Sequence, residues 1–186
     1  MLSQSLQLPE VLLLTPKVHS DERGYFFECF RQQQLQQLLE RDIQFVQENQ
    51  SRSSFGVLRG LHYQRQPQAQ AKLVRVVEGE VLDVVVDIRH GSPRFGQTVQ
   101  TVLSAENNHQ LFIPHGFAHG FLVLSPQATV VYKVDNYYSA QHDAGLAYND
   151  ANLAINWPLS AKQLVISTKD QQQPKLSQLQ SEFNWK

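Results

Sequence analysis

The chain has one cysteine, Cys29, in 186 residues, which rules out an intrachain disulfide and any Cys/His spacing for structural zinc. A reducing, cytoplasmic setting is therefore expected. Long apolar runs are missing too. The opening segment MLSQSLQLPEVLLLTPKV carries no basic leader, and its apolar stretch from Val11 to Leu14 is far too short for a signal core or a membrane span. Charge of one sign is also lacking: 16 Lys and Arg stand against 17 Asp and Glu, a formal net charge of -1. No general field favours nucleic acid or an anionic membrane, so an anionic ligand must be gripped by a local cluster. With no Gly-, Pro- or Ser-rich linker and no internal repeat, residues 1–186 read as a single domain large enough to bury a core.

What is there alternates. Apolar residues come singly or in short blocks between closely spaced turn residues, as in KLVRVVEGEVLDVVVDIR, HQLFIPHGFAHGFLVLS and ATVVYKVDNYY. That pattern predicts an all-β sandwich or barrel. The first block reads as a hairpin: a strand from Lys72 to Val77, a turn at Glu78-Gly79-Glu80, and a strand from Val81 to Ile88. Helical signals are few. RQQQLQQLLERD sets Leu35, Leu38 and Leu39 at helical spacing, a surface helix with a solvated glutamine face, and the tail beyond Gln171 has room for another short helix.

Five groups of residues carry chemical potential. In RGLHYQ, Arg59 and His62 have opposite parity along a regular strand, so they share a face only if the chain bulges at Gly60. A lone strand histidine is commonly a packed or surface residue; the expected bulge, which turns both side chains into one cavity, favours function. In IPHGFAHGF, the Pro114-x-Gly116-x-x-His119 spacing has the form of the second cupin motif, whose histidine commonly binds a metal. The first cupin motif needs a His-x-His pair and a glutamate, and RGLHYQ offers one histidine, so no metal centre is expected and His119 reads as a hydrogen-bond donor. Extended backbone through ATVVYKVDNYY puts Val130, Tyr132, Val134, Asn136 and Tyr138 on one face, two phenols among them. A buried tyrosine usually packs, but beside a histidine base a phenol is a plausible proton donor. Arg59 and Lys72 sit in apolar strands where an unpaired charge is costly, and with Arg23 they call for an anion. Asp170 in STKD, a turn former on the plain reading, is also able to orient an imidazole.

In order along the chain, DERGYFFE, FVQENQSRS, GVLRGLHYQ, QAKLVRVVEGEVLDVVVDIR, SPRFGQ, LFIPHGFAHGFLVLS, VVYKVDNYY, AYND and ISTKD resemble the dTDP-4-dehydrorhamnose 3,5-epimerases, also called dTDP-4-keto-6-deoxyglucose 3,5-epimerases. The likeness covers Asp21 to Asp170. It implies a cupin-type jelly-roll β-sandwich with a few short peripheral helices. It also implies a homodimer whose N-terminal segment reaches the partner's site, a dTDP-sugar substrate, and catalysis without metal or cofactor. By position, the resemblance makes His62 the proton acceptor, Tyr132 the proton donor, Asp170 the carboxylate paired with the histidine, and Lys72 the cation near the substrate carbonyl. It gives Arg23, Glu28, Gln47, Glu48, Asn49, Arg59 and His119 to nucleotide-sugar binding, Tyr138 to stacking on thymine, and Lys169 to the ligand's vicinity. Where the family usually has Glu-Arg after the paired tyrosines, this chain has Asp143 and Ala144, which keeps a carboxylate one methylene shorter. Leu146 to Tyr148 also departs from the family pattern. Competing readings are a single-site 3- or 5-epimerase, a 3,4-ketoisomerase, a non-catalytic nucleotide-sugar-binding cupin and a metal-dependent cupin oxygenase.

Overall fold

The computed structural model describes residues 1–185. In chain order its strands are β1 (Leu2–Ser5), β2 (Leu12–Thr15), β3 (His19–Asp21), β4 (Gly24–Phe26), β5 (Gln47–Ser54), β6 (Val57–Gln64) and β7 (Lys72–Glu78). They continue with β8 (Glu80–Asp87), β9 (Thr98–Ser104), β10 (Gln110–Ile113), β11 (Phe117–Val123), β12 (Gln127–Val134), β13 (Asp143–Gly145) and β14 (Val165–Ile166). Two short helices, α1 (Gln32–Leu39) and α2 (Thr168–Gln171), complete the α and β elements among the described residues. One sheet runs β1-β2-β10-β7-β12-β5, the second β13-β6-β11-β8-β9 with β14 added parallel to β6, and β3-β4 forms a separate ribbon. This all-β arrangement of two facing sheets is the cupin-type jelly roll.

Parity along the strands decides which side chains face the interior. Val74 and Val76 of β7, Val81 and Val85 of β8, Phe117, Phe121 and Val123 of β11 and Val130 of β12 form the main cluster between the sheets. The alternate residues of β8, Val84 and Val86, pack outward with Leu61, Tyr63, Leu146, Leu153 and Phe183 under the C-terminal segment. Burial on both faces explains why VLDVVVDI is a nearly continuous apolar run instead of an alternating one. On the outside of the first sheet, Leu35 of α1 is buried against Leu14, Leu73 and Phe112, with Leu38 and Leu39 beside it, while Gln33 and Gln37 face water and Gln32 and Gln36 donate to the Ile43 carbonyl. Each such fully buried leucine contributes about 1.5–3 kcal/mol of apolar transfer energy.

Two local expectations are corrected. The strands flanking Gly79 exist, but they are not a hairpin: β7 pairs with β10 and β12, and β8 with β9 and β11. Gly79, at φ +76°, turns the chain from one sheet into the other, so the apparent hairpin is a corner of the sandwich. Extended backbone also stops at Val134, so Tyr138 does not share a strand face with Tyr132. In the tail, a 3-10 turn occupies Leu176–Gln178.

Candidate active site

The inner face of the second sheet carries the first half of the site. On β6 the register against β11 shifts: His119 lies opposite His62 and Phe121 opposite Arg59, so β6 holds one extra residue. Gly60 sits in that bulge at φ +123°, and Arg59 and His62 line the same cavity, as the sequence predicts. The cavity measures about 430 Å³ and is also lined by Lys72, Tyr132, Lys169, Asp170 and His119, with Ser51, Ser167, Val57 and Phe121 among the remaining walls. Lys72 and Tyr132 come from β7 and β12 of the first sheet, so the cavity is bounded by side chains from both layers.

His62 Nε2 stands 2.5 Å from Asp170 Oδ1. Asp170 is almost fully buried in α2, and Ser167 caps that helix by accepting from the Asp170 N–H at 3.1 Å. Burial alone raises the Asp170 carboxyl, yet hydrogen bonding and charge from His62, with Ser167 and the Gly60 N–H, hold it below the usual carboxylate range. An ionised Asp170 accepting from Nε2–H leaves the His62 Nδ1 lone pair free as a base.

Tyr132 and Lys72 face the opposite electrostatic problem. Burial pushes the Tyr132 phenol up; Arg59 and a hydrogen bond with Asn49 oppose the rise, and Asp143 and Tyr138 add to it. The phenol is therefore protonated at neutral pH and able to donate. Burial lowers Lys72 to about 8, with Asp83 and Asp143 pulling it back up, and its Nζ donates to the His62 carbonyl at 3.2 Å. Arg59 donates from Nε to Ser53 Oγ at 3.0 Å, an orientation that leaves the outer edge of its guanidinium for a ligand.

A rim network extends the site. Asp143 Oδ2 accepts from the Tyr138 hydroxyl at 3.1 Å and pairs with Lys169, which the carboxylate holds above its ordinary range. Gln47 accepts from the Tyr138 N–H at 3.1 Å and donates to Asn49 at 2.8 Å. Tyr138 itself is 58 % exposed, an aromatic face open to solvent beside the cavity. Three expected ligand residues lie elsewhere in the chain. Glu48, on the other face of β5, pairs with Lys133; Glu28 pairs with Arg31; Arg23 pairs with Asp21 on the exposed β3–β4 ribbon. Two residues escaped the sequence reading. Asp83, fully buried, stands 2.8 Å from His119 Nε2, and Ser167 positions Asp170. A charge on the apolar inward face of β8 was the available signal for the first; a serine three positions before Asp170 was the signal for the second. Among the described residues no group of three or more His, Cys, Asp or Glu is arranged to hold a metal, and no helix is long and apolar enough to cross a membrane.

Known proteins share this sequence and fold. The sequence profile of a family described as dTDP-4-dehydrorhamnose 3,5-epimerase matches residues 5–178. A dTDP-4-dehydrorhamnose 3,5-epimerase of Salmonella typhimurium is 53% identical over 172 residues, 92% of this chain and 93% of that protein. The crystal structure of a dTDP-6-deoxy-D-glucose-3,5-epimerase from Legionella pneumophila, in complex with dTDP-4-keto-L-rhamnose, superposes with a TM-score of 0.94 at 47% identity, covering 99% of this chain and 98% of that one. A 3'-monoepimerase from Streptomyces bikiniensis in complex with dTDP-quinovose follows at a TM-score of 0.87 and 35% identity, covering 92% and 86%. With a fold, a sequence and a matched length in common, this chain belongs to the dTDP-4-dehydrorhamnose 3,5-epimerase family of isomerases.

Proposed function

We propose that the protein inverts C3 and C5 of dTDP-4-dehydro-6-deoxy-D-glucose, giving dTDP-4-dehydro-L-rhamnose in dTDP-L-rhamnose biosynthesis. The observation that carries this reading is the pairing of a His62–Asp170 dyad on one sheet with Tyr132 on the other, around a cavity that also holds a buried lysine. Inversion needs a proton removed from one face of a carbon and another delivered to the opposite face. A base and an acid from opposing layers meet that need.

His62 Nδ1 takes the proton from a carbon alpha to the C4 ketone, and the bonding pair moves onto the C4 oxygen as an enolate. Asp170 stabilises the imidazolium. Lys72 offsets the enolate charge where little water competes, the role of an oxyanion hole. The enolate then collapses, taking a proton from the Tyr132 phenol on the opposite face, and solvent returns His62 and Tyr132 to their starting protonation states. Both C3 and C5 flank the same ketone, so one cation serves both.

Binding divides among the remaining residues. Arg59 grips the diphosphate, Tyr138 stacks on thymine, and Lys169, Asp143, Gln47, Asn49 and His119 complete the nucleotide-sugar contacts, with Glu48 in the same segment. The chain acts as one domain and works as a homodimer in which Arg23 and Glu28 serve the partner's cavity. Support for that comes from the β3–β4 ribbon, where Tyr25 and Phe26 are 62% and 73% exposed, large apolar surfaces for a free arm. Likeness to a 3'-monoepimerase favours one alternative, inversion at C3 alone. Incubation with dTDP-4-dehydro-6-deoxy-D-glucose, borohydride trapping and NMR of the sugar separates them: an L-rhamnose-configured product supports the double inversion, a product inverted at one centre supports the alternative, and unchanged substrate rejects both.

A further inference from the structure

We infer that Gln64 is a positioning residue, its buried amide clamping the chain on both sides of Tyr138 and so setting that ring at the rim of the cavity. Gln64 is the last residue of β6, two positions past His62, and is 4% exposed. A primary amide taken out of water is costly unless its donors and its acceptor are met. Here they are met. Nε2 donates to the Tyr137 carbonyl at 3.2 Å and to the Gln68 carbonyl at 2.6 Å, and Oε1 accepts from the Ser139 N–H at 2.6 Å. Turned over, the amide would set its NH2 against an N–H and its oxygen against two carbonyls, so the network admits one orientation.

The loop needs a clamp because packing supplies none. β12 ends at Val134 and β13 begins at Asp143, and between them Tyr137 and Tyr138 are both exposed, so burial does little to hold either ring. Among the described residues the Tyr137 carbonyl and the N–H groups of Tyr138 and Ser139 are met by side chains: Gln64 for the first and third, Gln47 for the second. Backbone without ladder partners depends on such bonds to hold one conformation. Neighbouring ties lie further out. Gln70 donates to the Asn136 carbonyl and the Arg65 N–H to the His142 carbonyl, each at 2.8 Å, which leaves the middle of the loop to Gln64 and Gln47. Gln64 also lies opposite Asp143 in the β6–β13 register, and Asp143 Oδ2 accepts from the Tyr138 hydroxyl at 3.1 Å. One member of that cross-strand pair holds the backbone around Tyr138, and the other holds the tip of its ring. His62 stands on the same strand, so the ring and the dyad are fixed relative to each other.

That Tyr138 receives thymine rests on the epimerase reading, whereas the clamp does not, and the test reads both. Gln64→Met keeps an unbranched side chain of similar length and removes the amide's donors and acceptor. In unliganded protein carrying 3-fluorotyrosine, with the Tyr138 signal assigned from Tyr138→Phe, Gln64→Met should move the Tyr138 19F resonance toward that of a free tyrosine. An unmoved resonance overturns the inference. Calorimetric affinity for dTDP should fall by about fivefold or more, a large part of one base–aromatic stack, with KM rising by a similar factor and kcat changing little. In a Tyr138→Ala background the same substitution should cost no further affinity. An equal loss there would give Gln64 a role apart from Tyr138 and overturn the inference. Should Gln64→Met not fold, amide hydrogen exchange in the wild type decides: the Ser139 N–H should exchange far more slowly than a free loop amide, and exchange at the free rate overturns the inference. Undiminished dTDP affinity in Tyr138→Ala would remove the thymine contact and leave the fluorine result to decide the clamp.

Discussion

Arg59 and His62, three positions apart on β6, line one cavity because β11 sets Phe121 opposite the first and His119 opposite the second, two positions apart. Gly60 absorbs the surplus residue. A Cβ on Gly60 would lie 2.6 Å from the Gly120 Cα and 2.8 Å from the His119 carbonyl oxygen, both backbone atoms with no freedom to retreat.

Gly60→Ala is accordingly expected to cost about 2–4 kcal/mol, combining a disfavoured positive φ with overpacking. Urea unfolding measures this directly. An unchanged midpoint, with turnover intact, would show that the bulge does not set the site.

The dyad predicts a separation of chemistry from binding. Asp170→Asn should lower kcat by about 10²-fold or more, since the amide no longer fixes the imidazole tautomer or stabilises the imidazolium. Calorimetric affinity for dTDP should stay near the wild-type value. A folded variant that loses affinity as much as turnover would assign Asp170 to binding.

Burial sets the pH response of Lys72. Its folded value of about 8 lies below the ordinary 10.5. Between those values the unfolded chain binds more protons, so this group makes stability rise with pH, and below about 8 its burial cost is present in full. In the proposed mechanism activity goes the other way, because the ammonium is lost above about 8. The kcat/KM profile should show an alkaline limb there, and Lys72→Arg, however slow, should lack it. The same limb in Lys72→Arg would point to another group.

The proposed dimer with shared sites makes a complementation prediction. Arg23→Ala and His62→Ala homodimers should each be nearly inactive. Unfolding and refolding an equal mixture should restore about a quarter of wild-type activity, because half the dimers are mixed and each mixed dimer has one intact site. No recovery, with mixed dimers verified by mass spectrometry, would place Arg23 in its own chain's site, and an active Arg23→Ala homodimer would place it outside catalysis.

Much of the fold was legible because the strands alternate and the leucines of α1 recur at helical spacing. The Gly60 bulge was legible too, since parity between Arg59 and His62 required it. What failed was pairing. Nothing in EGE tells a hairpin from a corner, because the partners of β7 and β8 are β10, β12, β9 and β11, chosen by tertiary packing far along the chain. The strand face shared by Tyr138 and Tyr132 failed for a related reason: alternation extends past Val134 in the sequence, whereas the ladder with β5 ends there. Asp83 was passed over because VLDVVVD reads as strand core despite the charge on its inward face, and its contact with His119 ties it to the site.

In the proposed mechanism, His62 removes protons from carbons on either side of the ketone and Tyr132 returns them from the other face. Incubating dTDP-4-dehydro-6-deoxy-D-glucose with Tyr132→Phe in heavy water, with wild type and His62→Ala in parallel, tests it by NMR. Deuterium should enter C3 and C5 with inversion in the wild type, enter with inversion strongly slowed in Tyr132→Phe, and stay out in His62→Ala. Exchange that survives in His62→Ala, or vanishes in a folded Tyr132→Phe that still binds dTDP, would contradict the account.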